Sequence, residues 1–191
     1  MEGDTIKMNI FVISDTHFYH ENIKKYENRP EDFNELLIAN WNKMVKWNDT
    51  VIHLGDVIFG IGKKEKLKSL MTSLNGKKIL ALGNHDNEKW DYYMDNGFDF
   101  ACDYYVYRGL AFSHAPLTPL PVQTQYNHGK LVDLNIHGHF HRGKHRNPAE
   151  NLDYKDEYYD YKYWQNNKEK YRLVQIEDEL RPFSLEEILN K

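Results

Sequence analysis

Five times along this chain a short apolar run stops abruptly at residues that bind metals or carry protons, and that repetition constrains the fold more than any other feature. Met8–Ser14 (MNIFVIS) is followed by Asp15, Thr16 and His17, Thr50–Leu54 (TVIHL) by Gly55 and Asp56, and Lys77–Leu82 (KKILAL) by Gly83, Asn84, His85 and Asp86. Leu110–Ser113 runs into His114, while Leu131, Val132, Leu134 and Ile136 lead into His137, Gly138, His139 and His141. Runs of this length, partly β-branched and ended by glycine or polar residues, read as buried strands. Each strand then delivers polar side chains at its C-terminal end, with the glycines allowing sharp turns there.

His139 and His141 stand one residue apart, so extended chain points both imidazoles the same way and offers a metal two nitrogen ligands. Asp15 and His17 repeat that spacing. Taken singly, each motif reads equally well as a polar loop; five strand ends with the same chemistry do not.

Helical patterns separate the strands. Phe33, Leu36, Leu37, Trp41, Met44 and Val45 recur at spacings of three and four, one apolar stripe that belongs to a core. Lys63–Leu74 predicts a second helix with Leu67, Leu70, Met71 and Leu74 inward, and residues 88–95 a short third one. The tyrosine-rich stretch from Phe98 to Arg108 predicts antiparallel strands. Ala115–Lys130, with Pro116, Pro119 and Pro121, predicts an irregular loop walling a cleft. Arg172–Ile176 predicts a last strand, and Ser184 with Glu187 a capping box opening the helix Leu185–Leu189. Alternating strands and helices of this kind make an α/β layered fold with its site at one sheet edge.

A chain of 191 residues suits one domain, read here as a flexible leader over 1–7 and a single domain over 8–191 with an insertion at about 150–168. The net charge of −4 argues against general affinity for nucleic acid or anionic membrane. Cys102 is the lone cysteine, which excludes an internal disulfide or a cysteine-based zinc site. With no signal-peptide pattern and no membrane-length apolar run, the expectation is a cytoplasmic protein.

Together, Asp15-x-His17, Gly55-Asp56, Gly83-Asn84-His85-Asp86, His114 and Gly138-His139-x-His141 resemble the five ordered motifs of the calcineurin-like metallophosphoesterases. The run DTHFYHENI and the chain's size are most similar to the family's small bacterial and phage phosphodiesterases. The resemblance implies a four-layer αββα sandwich with a di-metal site at the strand ends. By position, Asp15, His17 and His141 would hold one ion, Asn84, His114 and His139 the other, and Asp56 would bridge them. His85 matches the family's catalytic histidine that binds no metal, and Asp86 would orient it.

Two divalent ions roughly 3.5 to 4 Å apart share a water, lower its pKa and clamp the phosphoryl oxygens. A mixed nitrogen and oxygen donor set suits manganese, iron, zinc, cobalt or nickel without choosing among them, and a manganese pair is the expectation. The implied activity is hydrolysis of a phosphate diester by a metal-bridging hydroxide. A phosphomonoesterase or protein phosphatase, a nuclease and a non-catalytic metal-bound scaffold are the alternatives. Phe59 stands where purple acid phosphatases of the family carry a tyrosine ligand, which disfavours that subtype. The expected partner is a small phosphate ester, with nucleic acid not favoured and no membrane; the oligomeric state is open.

Several residues keep two readings. His20 could touch substrate phosphate or lie on the surface, and the basic cluster of Arg142, Lys144, His145 and Arg146 could pair with phosphate oxygens or be a solvated loop. His137 reads as packed behind the paired ligands, and His128 could line the cleft. In Tyr154–Trp164 (YKDEYYDYKYW) the aromatic rings could stack on a base, though packing against the sheet is the simpler reading.

Overall fold

A computed structural model describes residues 8–59, 63–118, 132–142 and 155–191, and in it the apolar runs form two sheets. The strands among these residues are β1 (Ile10–Ile13), β2 (Thr50–His53), β3 (Lys77–Ala81), β4 (Phe100–Cys102), β5 (Tyr104–Tyr107), β6 (Leu110–Ser113), β7 (Leu134–His137), β8 (Tyr171–Leu173) and β9 (Phe183–Ser184). The first sheet has the order β4-β3-β2-β1-β9 and the second β5-β6-β7-β8. β1 to β4 run parallel, as do β6, β7 and β8, while β9 and β5 are antiparallel edge strands. This is the expected α/β sandwich.

Register explains why one edge collects the chemistry. Ile13 lies beside His53 and His53 beside Leu80, so the loops that begin at Ser14, Leu54 and Leu82 leave the first sheet side by side. In the second sheet Ser113 pairs with His137 and His137 with Leu173, which brings His114 and Gly138 out at one level. Parallel pairing buries both faces of a strand, hence the unbroken apolar runs in place of alternation.

The helices are α1 (Ile23–Tyr26), α2 (Phe33–Met44), α3 (Lys63–Ser73), α4 (Trp90–Asp95), α5 (Lys155–Asn166) and α6 (Leu185–Leu189). Along α2, Phe33, Leu37 and Trp41 are fully buried, whereas Leu36 is 36% exposed, so the inward stripe is narrower than its apolar spacing predicts. The buried indole of Trp41 donates to Asn75 O at 2.9 Å, which satisfies its one polar group. Leu67, Leu70 and Met71 of α3 and Leu74 join the same core, to which Phe112 and Ile136 of the second sheet also belong. At α6 the capping box is present: Glu187 N–H donates to Ser184 Oγ at 3.2 Å, and Ser184 N–H donates to Glu187 Oε2 at 2.7 Å.

Two expectations change. The tyrosine-rich stretch does not form one antiparallel pair, because β4 pairs parallel to β3 in the first sheet and only β5 turns into the second, antiparallel to β6. The strand expected over Arg172–Ile176 spans only Tyr171–Leu173, and it is not the last, because β9 follows it and pairs with β1. The acidic aromatic insertion contains a helix, α5, whose Trp164 packs with Phe140 and Tyr171 into a second apolar cluster joined by Tyr161 and Tyr163. Packing is therefore the role of those described rings. The leader over 1–7, His128, Lys144, His145 and Arg146 lie outside the described residues. No helix of the described residues is long and apolar enough to cross a membrane.

Candidate metal centre

Hydrogen bonds stitch the strand-end loops together. Asp15 N–H donates to Gly55 O at 3.1 Å and His17 N–H to Asp56 O at 2.9 Å, while His139 N–H donates to Asp15 Oδ2 at 2.9 Å and His85 N–H to Asp56 Oδ1 at 2.9 Å. Within this frame Asp15, His17, Asp56, His139 and His141 adopt left-handed backbone, with φ of 51°, 46°, 56°, 69° and 39°. Non-glycine residues are uncommon there, and such conformations persist where the surroundings over-determine them. Five of the seven expected ligands share the feature.

Two of the glycines act differently from the turn-making role their positions suggest. Neither Gly83 nor Gly138 has a positive φ. A Cβ on Gly138 would run into Ser14 Oγ and Asp15 Oδ2, and one on Gly83 into the carboxylate and amide of Asp56. They are glycines for want of space beside the two acids.

The expected ligand atoms converge. Asp15 Oδ1 lies 4.0 Å from His17 Nε2 and 3.8 Å from His141 Nε2, and Asp15, His17 and His141 form one compact donor group. Asp15, Asp56 and His114 form another. Asp56 Oδ2 stands 3.5 Å from His17 Nε2 and 3.5 Å from His114 Nε2, midway between the two sets.

On the second side His114 Nδ1–H donates to Leu54 O at 2.8 Å, which turns its Nε2 lone pair inward. That Nε2 meets Asn84 Oδ1 at 2.8 Å and His139 Nδ1 at 3.0 Å. Ring nitrogens and an amide oxygen this close need a proton or a cation among them. On the first side Asp15 Oδ1 and His17 Nδ1 are buried without a hydrogen-bond partner. Imidazole, carboxylate and amide donors suit a borderline divalent ion, and the residues present fit one.

Titration is distorted throughout this cluster. Burial pushes Asp56 up to about 6. Burial also raises Asp15, yet the imidazoles of His141, His114 and His17 outweigh it and hold the carboxyl well below its usual range. For His141 burial is overcome by the carboxylates of Asp15 and Glu177, which push it up to about 9. His139 is driven down to about 3 by burial and by neighbouring imidazoles, and burial takes His17 well below its ordinary value. Opposed shifts among close groups mark a functional site.

Asp86 is placed differently from its expected role beside His85. Its Oδ2 accepts the amides of Asp56 at 2.7 Å and Gly83 at 2.9 Å, and its Oδ1 accepts that of Val57 at 3.2 Å. The carboxylate thus clamps two ligand loops, and the His85 ring is not among its recorded hydrogen bonds. His85 keeps a side chain 43% exposed, with Nε2 4.0 Å from Asp56 Oδ2. Against it, Phe59 packs edge-on at 5.4 Å and in turn stacks on His20 at 4.2 Å. His20 therefore belongs to an aromatic wall beside the ligands.

Arg142 donates to Asp178 at 2.6 Å and lies 4.0 Å from Glu27, an ion pair at the surface that leaves its side chain 34% exposed. His137 is fully buried, edge-on to Phe140, Trp164 and Tyr171, with Nδ1–H donating to Gly138 O at 3.0 Å. It is a packed residue behind the ligand loop, as its position predicts.

Three residues that take part were not legible. Arg29 donates to Thr16 O at 2.6 Å, Asp15 O at 2.7 Å and Glu177 at 2.8 Å, and the same Glu177 oxygen meets His141 Nδ1 at 2.8 Å. His53 accepts Gly55 N–H on Nδ1 at 3.1 Å and meets Thr16 Oγ1 through Nε2 at 2.9 Å. Because Thr16 Oγ1–H is given to Val57 O at 2.8 Å, His53 Nε2 must carry the proton that Thr16 accepts. This network fixes the Asp15–His17 turn against the Gly55–Val57 turn.

Beside Asn84, His114 and His139 opens a cavity of about 520 Å³, walled by Leu82, Pro116 and Leu117 and rimmed by Asp103. Clustered lone-pair donors thus stand at the floor of an open cleft, carried on the strand ends of a two-sheet α/β sandwich. Residues 8–184 match the family model described as calcineurin-like phosphoesterase, and the chain belongs to that family. It is 45% identical over 97 residues to an uncharacterized protein of Methanocaldococcus jannaschii, a match covering 48% of this chain and 55% of that protein. The matched region spans about half the length of that curated relative. The crystal structure of a protein of unknown function from Aquifex aeolicus is similar over 96% of this chain and 99% of that one, with a TM-score of 0.67 at 27% identity.

Proposed function

We propose that this chain hydrolyses phosphate diesters with two divalent ions, a manganese pair, one held by Asp15, His17 and His141 and the other by Asn84, His114 and His139. The observation that carries the reading is Asp56 Oδ2, 3.5 Å from a nitrogen of each set, where one carboxylate serves both. When bound, such ions supply Lewis acidity to the phosphoryl oxygens and an acidified water for attack.

The protein's own groups do the rest. Asp56 offsets the repulsion between the ions, and Asn84 adds an oxygen ligand without adding charge. His85, anchored through its amide on Asp56 and open to the cleft, donates a proton to the leaving oxygen or stabilises its charge. Asp86 keeps both ligand loops in register.

Preference for diesters rests on charge. Of the guanidinium groups near the ligands among the described residues, Arg29 is spent on Glu177 and Arg142 on Asp178. A monoester carries a second negative charge that the buried Arg29 does not meet, whereas a monoanionic diester carries none. The same commitment of Arg142, together with the net charge of −4, weakens the nuclease reading.

The test compares initial rates on a chromogenic diester and its monoester, using protein stripped of metal and reloaded with manganese. Faster diester turnover is expected. Monoester preference replaces this reading with a phosphatase, steep salt dependence on polynucleotides with a nuclease, and absence of turnover with ions bound with a scaffold.

A further inference from the structure

Arg29 and Glu177 are separated by 148 residues, yet they form a buried ion pair at 2.8 Å with both side chains fully shielded from solvent. Their position is selective. Arg29 grips the backbone carbonyls of Asp15 and Thr16, and the Glu177 oxygen that it shares also holds His141 Nδ1. Every group in this relay leads to the donor set of Asp15, His17 and His141. The opposite set has its own anchors, His114 on the carbonyl of Leu54 and Gly138, before His139, on the carbonyl of His114; its one link to the relay is His139 N–H on Asp15 Oδ2.

We infer that Arg29 and Glu177 are positioning residues for one metal site alone, setting the affinity of the Asp15–His17–His141 site while leaving the Asn84–His114–His139 site unaffected. This inference rests on the two-ion reading above. The chemistry is that of a carboxylate behind a metal-binding histidine. Glu177 accepts the proton on His141 Nδ1, which fixes the tautomer that leaves Nε2 free and turns Nε2 toward Asp15 Oδ1, 3.8 Å away. The Glu177 carboxylate makes that nitrogen a stronger donor. Arg29 supplies the charge that allows Glu177 to stay ionised in the interior, and its remaining donors hold the Asp15–Thr16 backbone at the distance the site needs. The two sites therefore bind ions with separable affinities.

The experiment is a manganese titration followed by calorimetry and by elemental analysis of protein passed through a desalting column. Wild-type protein is expected to retain two ions. Glu177→Gln keeps an acceptor for His141 but loses its charge, and Glu177→Ala loses both; one binding step is expected to weaken by about 10-fold in the first and about 100-fold in the second. The other step stays within twofold in both. A double variant, Arg29→Met with Glu177→Met, removes both buried charges together and protects the test from simple unfolding. It should be folded by circular dichroism and still lose one ion selectively.

Two equal wild-type-like steps in the Glu177 variants would overturn the inference. So would equal weakening of both steps, which marks a general structural role. Wild-type protein that binds fewer than two ions instead overturns the two-ion reading itself.

Discussion

Asp86 Oδ2 accepts the backbone amide of Asp56 at 2.7 Å, so one acid holds in place the loop that carries another. The second acid is the one shared by both donor sets. Sequence proximity to His85 suggested that Asp86 orients a catalytic ring, but the carboxylate is occupied by three backbone amides.

Removal of that clamp should cost stability before it costs chemistry. Asp86→Ala leaves two buried N–H groups without partners, at roughly 1–3 kcal/mol each, and a third that is partly exposed, so a total of about 2–6 kcal/mol is expected. Asp86→Asn keeps one carbonyl oxygen and should lose about half as much. Urea unfolding of metal-free protein at neutral pH measures both; a loss below about 1 kcal/mol in the alanine variant contradicts the clamp.

His53 makes a prediction about acid. Burial pushes it down to about 3, so the folded protein keeps it neutral while the unfolded chain protonates it near its ordinary value. Between those values the unfolded state binds more protons, and stability rises with pH. Acid therefore destabilises the fold as pH falls from about 6.5 toward 3, by up to about 1.4 kcal/mol per pH unit from this residue. His137, also depressed by burial, to about 4, adds in the same direction. His53→Gln should flatten the profile between pH 6 and 4 in chemical unfolding, and an unchanged slope contradicts the assignment.

His85 lies outside both donor sets. His85→Ala should retain the same metal content as wild type while kcat falls by about 10²- to 10⁴-fold, most steeply for esters with poor leaving groups. Metal analysis beside steady-state rates checks this. Metal loss in the variant would make His85 a ligand.

What the sequence reveals about this site follows from how each residue is held. Asp15, His17, Asp56, Asn84, His114, His139 and His141 follow apolar runs immediately, so the strand pattern marks them and parallel register brings them to one edge. Arg29 and Glu177 carry no such mark. They meet only in the folded interior, in a loop before α2 and after β8, and no local period announces a buried ion pair between them. His53 is concealed for another reason: it ends an apolar strand and reads as part of the run, while its role depends on the hydroxyl of Thr16 from the neighbouring loop. The division of Phe98–Arg108 between two sheets was equally hidden, since adjacent strand-like stretches predict a hairpin until each sheet's edge is known.

Metal content together with diester turnover in Asp56→Ala, reloaded with manganese beside wild type, tests whether one carboxylate serves two metal sites. Two retained ions and diester hydrolysis are expected in the wild type, with at most one weakly held ion and no measurable hydrolysis in the variant. Two ions retained in Asp56→Ala at wild-type affinity would contradict it.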